Sequence, residues 1–291
     1  MRNRVKAFTL IEVLVAAAIT VIMVGLVIQI TAEVLKVWNQ STGKLSANAE
    51  ARIAMEILTN DLETAVFLKN DQQWLRVESE TSVDSAGQTV ALKLFAPALD
   101  RPEGPGDLCG ISYRLAYAPA YTGASRDTYV LFRNLADPQR TFDELLGEGP
   151  NSPQSELNSG FWQSNSTVVP ANYLAGNIVD FKVYIYGINE DTGEEIVLNA
   201  SGNSDGFARN DSSFNGNLDL DYIYGGGGVN STDRAPTSAE ILLTIVSDEG
   251  LEILRLLSDG VSGTGFDDEE DVLLQYGEVF RRRVNFNSRP F

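Results

Sequence analysis

From Val13 to Ala32 the chain runs twenty residues without a charge, directly behind a short basic leader and one isolated acid. No other feature restricts the fold so strongly. A helix rises about 1.5 Å per residue, so twenty residues span about 30 Å, the hydrocarbon thickness of a bilayer. Leu14, Ile19, Val21, Ile22, Met23, Leu26, Ile28 and Ile30 cover every side of such a helix, and a helix apolar all round requires lipid or a fully buried site. Arg2, Arg4 and Lys6 precede the block, and Glu33 is the first charge after it. The positive-inside bias then keeps the N-terminus in the cytoplasm and exports the rest.

A cleaved secretory signal opens in the same way, and Ala16, Ala17 and Ala18 would supply small residues for cleavage. The apolar run is too long for that reading and passes without a break into helix-compatible sequence. A plain signal anchor accounts for the length. Neither accounts for Glu12, because an ionised carboxylate near the edge of a membrane helix costs on the order of 3 kcal/mol at worst and normally has a partner.

Helical signals continue beyond the apolar block, and the first proline is Pro97. Leu45, Ala49, Ile53 and Ile57 recur at steps of four, with Ala54, Leu58, Leu62 and Ala65 beside them and Glu56, Asn60 and Glu63 toward the other side. This amphipathic pattern predicts a helix from Phe8 to about Leu68, with both apolar rows in the core and with Gly25 and Gly43 as weak points. The chain therefore divides into a leader at 1–7, a transmembrane helix at 8–35, an amphipathic continuation at 36–70 and an exported β-rich head at 71–291. Within the head, strands are expected at 74–78, 89–95, 111–117, 128–133, 178–186, 240–247, 251–256 and 278–286. Turn-rich stretches at 97–110, 147–166 and 199–217 separate them. A helix followed by strands predicts an α+β fold: a long N-terminal helix on a mainly antiparallel sheet head, built of one sheet or two.

Composition narrows the function classes. The net charge is −18, and loss of the three basic residues of the leader would leave −21. Such a surface repels phosphates, so no nucleic acid partner is expected. Histidine is absent, which removes Ser-His-Asp and Cys-His catalysis and any site that needs imidazole for zinc. Cys109 is the single cysteine, so the head is held by its core and not by an internal disulfide. Gly225 to Gly228 follow the strand-like Tyr222-Ile223-Tyr224 but lack the lysine and helix of a phosphate cradle. A flexible loop is expected there. Arg281, Arg282 and Arg283 form the one dense basic cluster. They suit either an acidic partner subunit or a charged edge strand that discourages sheet-to-sheet association, and the edge strand is preferred.

Two acidic stretches offer oxygen ligands for calcium. One holds Asp267, Asp268, Glu269, Glu270 and Asp271; in the other Asn215, Asn217, Asp219 and Asp221 alternate. Neither has EF-hand spacing, and a solvated acidic loop is the default. Asp219, Asp221, Asp267, Asp268 and Glu270 are the candidate ligands. No other cofactor and no small-molecule substrate are expected.

The segment Lys6-Ala7-Phe8-Thr9-Leu10-Ile11-Glu12-Val13-Leu14-Val15-Ala16 closely resembles the class III leader of type IV prepilins and type II secretion pseudopilins. The resemblance implies a pilin-like fold and a non-enzymatic protein. It implies that a membrane prepilin peptidase cuts between Ala7 and Phe8, and that the new amino group of Phe8 is methylated. Glu12 becomes the fifth residue of the mature chain. The family normally has Gly where this sequence has Ala7, and alanine is also small. The resemblance assigns Glu12 to assembly, with its carboxylate approaching the Phe8 amine of a neighbouring subunit. In low dielectric that pair would fix the stagger between subunits more than it would add net stability.

Segments of the head, at 52–65, 174–184, 236–245 and 280–284, are similar to J-type minor pseudopilins, and minor pilins of type IV pili share some of them. The Asn/Gly-rich stretch at 199–235 has no counterpart in that family. The resemblance implies a minor pseudopilin of a type II secretion-like system near the tip of a periplasmic pseudopilus. Its partners would be the prepilin peptidase, other minor and major pseudopilins and inner-membrane lipid. A minor type IV pilin with a surface- or ligand-binding head is the alternative, and a membrane-anchored exported enzyme is a third reading.

Overall fold

Helix α1, Leu10–Glu63, opens a computed structural model that describes residues 9–70, 72–81, 88–98, 100, 106–124, 126–146, 160–162, 164–199, 222–225, 231–232, 234–261, 265–266 and 268–287. Its contacts divide the chain into two compact units, Met1–Leu45 and Ser46–Phe291. Gly25 and Gly43 both lie inside α1. A single glycine costs about 1 kcal/mol in a helix, too little to interrupt one of this length. The helix stops at Glu63, short of the expected Leu68, because the backbone finds another partner: the Val66 N–H donates to the Phe95 carbonyl at 2.9 Å.

Among the described residues the second unit carries eleven strands in two sheets. The seven-stranded sheet runs β5-β4-β3-β2-β1-β8-β9, with β1 Leu75–Thr81, β2 Gln88–Ala96, β3 Cys109–Pro119, β4 Asp127–Leu135, β5 Tyr173–Gly176, β8 Tyr222–Tyr224 and β9 Ser231–Thr232. The four-stranded sheet runs β11-β10-β6-β7, with β6 Ile178–Ile188, β7 Glu195–Val197, β10 Pro236–Val246 and β11 Gly277–Asn285. Every pairing is antiparallel except β8 with β9. The fold is α+β, as expected, and the head has two sheets. Asn177, at φ 59°, is the single residue between β5 of one sheet and β6 of the other. Asparagine tolerates this left-handed backbone better than most residues.

One cluster holds both sheets and the helix together. Ala51, Ala54, Leu58 and Leu62 of α1 are fully buried with Leu92, Leu94, Ile111, Val183, Ile185 and Ile241. The alanines let the helix backbone approach the sheets closely. The other expected core row is not in the core: Ala49 is exposed, Ile57 is half-buried, and Leu45 and Ile53 are 70% and 57% exposed. A helix has room for one such stripe against the sheets, and the row with small residues takes it.

A buried polar cluster fixes α1 to the larger sheet. Arg133 of β4 donates from Nε to Asp61 Oδ2 of α1 at 2.9 Å and from Nη1 to Asp100 Oδ2 at 2.7 Å. The Tyr113 hydroxyl of β3 also donates to Asp61. Burial pushes the Asp61 carboxyl above its ordinary value, and the Arg133 charge pulls the other way. Burial and the Asp61 charge push the Tyr113 phenol well above its ordinary range, so it stays a donor.

Seven of the eight expected strands are strands, and the exception reports a helix signal overlooked in the sequence. Residues 251–256 lie in helix α2, Asp248–Ser258. Ser247 caps it, accepting from the Gly250 N–H, and Asp248 and Glu249 occupy its first turn, where negative charge suits the helix dipole. Gly250 and Leu254 are buried, with Leu251 and Leu257 partly so, at helical spacing. The acidic stretch expected to be a loop starts helix α3, Glu269–Tyr276. Together with Tyr129, Val179 and Val246, residues of α2 and α3 form a second, smaller core.

Candidate functional site

The residues with the most specific chemistry lie at the start of α1. Thr9 and Glu12 form a reciprocal capping box: Glu12 Oε2 accepts from the Thr9 backbone N–H and from the Thr9 hydroxyl, both at 2.9 Å. The Glu12 N–H returns a long bond of 3.4 Å to Thr9 Oγ1. The first N–H groups of a helix have no partner within the helix, and this arrangement supplies one. Glu12 is therefore not alone even in a single chain, contrary to the expectation from its apolar surroundings. The Thr-x-x-Glu spacing was the available signal. Among the described residues Oε1 of the same carboxylate has no partner. Ala7 and Phe8, the expected cleavage pair, lie outside the described residues.

Beyond Glu12, Leu10–Leu35 is long and apolar enough to cross a membrane. None of the large apolar side chains in this segment is buried; Leu14 is 62% exposed, Ile22 62% and Ile30 63%. Its hydroxyls are satisfied within the helix, with Thr20 donating to the Ala16 carbonyl at 2.8 Å and Thr31 to the Val27 carbonyl at 2.7 Å. Hydrocarbon offers no hydrogen bonds, so internal satisfaction of this kind suits a helix surrounded by lipid or by other apolar helices.

The remaining expected site residues separate. Asp219, Asp221 and Asp267 lie outside the described residues. Asp268 caps α3, its Oδ1 accepting from the Asp271 N–H at 2.9 Å, and Glu270 stands in the first turn. The carboxylates of 268–271 thus have a helix-starting role, and among the described residues no group of three or more acidic or cysteine side chains is placed to hold a metal. Of the three arginines, Arg281 pairs with Glu240 and Arg283 with Glu195, the latter guanidinium standing 4.4 Å over the Tyr186 ring. They occupy β11, an edge strand, and two of the three charges are engaged within the chain. Gly225 follows β8 at φ +80°, and a Cβ there would lie 2.1 Å from the Gln72 carbonyl oxygen, so the position requires glycine for close approach. Gly226, Gly227 and Gly228 lie outside the described residues.

Comparison with known proteins agrees with the start of the chain. Residues 2–28 match the family model of the prokaryotic N-terminal methylation motif. Among solved structures, the chain is similar to a type IV-like pilin from Thermus thermophilus at 12% identity and a TM-score of 0.36, over 82% of this chain and 95% of that one. No curated protein matches. The matched motif lies over the basic leader, the Thr9–Glu12 cap and most of the apolar span, and a head of antiparallel sheets follows. The chain thus carries the prokaryotic N-terminal methylation motif at its start, ahead of an α+β head of two mainly antiparallel sheets.

Proposed function

We propose that the chain is a minor pseudopilin of a type II secretion-like system, a structural subunit and not an enzyme. It inserts in the inner membrane with its head in the periplasm, is cut between Ala7 and Phe8, and is methylated on the Phe8 amine. It then joins other minor and major pseudopilins near the tip of a short fibre. The observation that carries this reading is the Glu12 carboxylate, at the head of a helix whose apolar surface is bare for the whole length of a membrane span. One oxygen, Oε2, holds the end of its own helix. The other is left to accept from a neighbour's amine, and an ion pair in low dielectric is sensitive to a mismatch in stagger. The apolar surface lets adjacent helices pack once they leave the lipid.

Mass spectrometry of the mature protein from membranes tests processing. A chain beginning at a methylated Phe8 is expected; one beginning at Met1, or trimmed beyond Ala16, overturns the proposal. Co-purification with pilin-like subunits and a secretion ATPase supports the pseudopilus, whereas antibody reaching the head on intact cells favours a surface pilus.

A further inference from the structure

Helix α1 carries one aromatic residue, Trp38, and it stands where the apolar sequence gives out. Before it, Val34, Leu35 and Val37 extend the exposed apolar surface past Glu33. After it come Asn39, Gln40, Ser41, Thr42 and Gly43. The Trp38 side chain is 70% exposed, whereas Trp74 and Trp162, the other two tryptophans, are buried in the head. An indole suits neither pure solvent. Hydrocarbon offers its N–H no acceptor, and water leaves its apolar body uncovered. The boundary layer of a bilayer accommodates both parts, and tryptophan is enriched there.

The spacing along α1 matches a bilayer. Val13–Ala32 is long enough to fill the hydrocarbon layer, and Trp38 stands about 9 Å of helix beyond it. A helical side chain leans toward the N-terminus of its helix, which carries the indole back toward that layer. From Glu12 to Trp38 the helix rises about 39 Å, and a bilayer with both headgroup layers is about 40–45 Å thick. Glu12 and Trp38 therefore reach opposite boundaries of one membrane. The charges nearest Trp38 in sequence, Glu33 and Lys36, are of opposite sign, so they do not select an anionic lipid surface over a neutral one.

We infer that Trp38 is a lipid contact: its indole lies in the headgroup layer of a phospholipid bilayer, at the boundary opposite Glu12, with no requirement for anionic headgroups. This contact rests on the membrane span proposed above. The test is tryptophan fluorescence of the full-length protein reconstituted in phosphatidylcholine vesicles, with bromines placed either just below the lipid carbonyls or near the ends of the acyl chains. Trp38→Phe supplies the signal of Trp74 and Trp162, and subtracting it isolates Trp38. Trp38 emission is expected to be quenched about twofold more by the shallow bromines than by the deep ones. Stronger quenching by the deep bromines would put the ring in hydrocarbon, and quenching by neither would put it in water or against protein. Either result overturns the contact. Carbonate extraction of the same vesicles tells the two claims apart. Protein washed off the vesicles overturns the span and the contact together, whereas retained protein with an unquenched Trp38 overturns the contact alone.

Discussion

The two ends of α1 have the same secondary structure and opposite surroundings. In the first unit Leu10–Leu35 presents apolar side chains on every side and buries none of them. In the second, Ala51, Ala54, Leu58 and Leu62 are fully buried on one side while Arg52 and Glu56 stay exposed. The first segment has hydrophobicity without direction and stays uncovered among the described residues. The second has direction, set by small residues that permit close approach and by Asp61, which anchors the helix to β3 and β4. Hydrophobic content alone thus does not mark a core; the spacing of small side chains and the presence of a polar anchor do.

Substitutions at matched positions sharpen or break this contrast. The largest effect is expected for Asp61→Ala, which leaves Arg133 buried without its main partner; chemical denaturation of the head should show a loss of about 3–5 kcal/mol. Leu58→Ala should cost about 2–5 kcal/mol in the same measurement, whereas Leu26→Ala in the bare segment should stay within about 0.5 kcal/mol. A comparable loss for Leu26→Ala would break the contrast. Glu12→Ala should leave head stability and membrane insertion intact while lowering co-purification with partner subunits about tenfold, equivalent to about 1.4 kcal/mol; unchanged co-assembly would remove the assembly role.

The smallest effect is a pH dependence confined to the head. Burial pushes Glu240 up, but hydrogen bonds from Arg281 and Tyr186 outweigh it and hold the carboxyl below its ordinary value of about 4.5. Its contribution is therefore complete above that value and is lost as pH falls through the lowered one. Glu240→Gln should flatten the decline in stability below about pH 4.5, read from denaturation midpoints across that range.

Much of the architecture was legible locally. Alternation along 178–186 and 111–117 marked β6 and β3, and the position of the leader, acid and apolar span marked the part of the chain with the most specific chemistry. What escaped was decided by competition or by distance. Residues 251–256 are dense in leucine and isoleucine, so they read as a strand until the Ser247 cap and the Leu251, Leu254 and Leu257 spacing are weighed. The rows Leu45-Ala49-Ile53 and Ala51-Ala54-Leu58 are both apolar, and only the approach of the sheets decides between them. A cavity beside α2 joins residues from positions 117–129 and 248–258, a juxtaposition that no local pattern encodes.

The corner at Asn177 sets a limit on how this head can diverge. Its side chain donates to Asp248 at 2.6 Å, and one residue is all the chain spends in passing between the sheets. Because strand side chains alternate with a period of two, one added residue here would turn Phe181, Val183 and Ile185 outward and Lys182 and Tyr184 inward. Length variation among related heads should accumulate in the long connections and stop at this joint, which makes it a fixed landmark for aligning sequences too distant to align by identity.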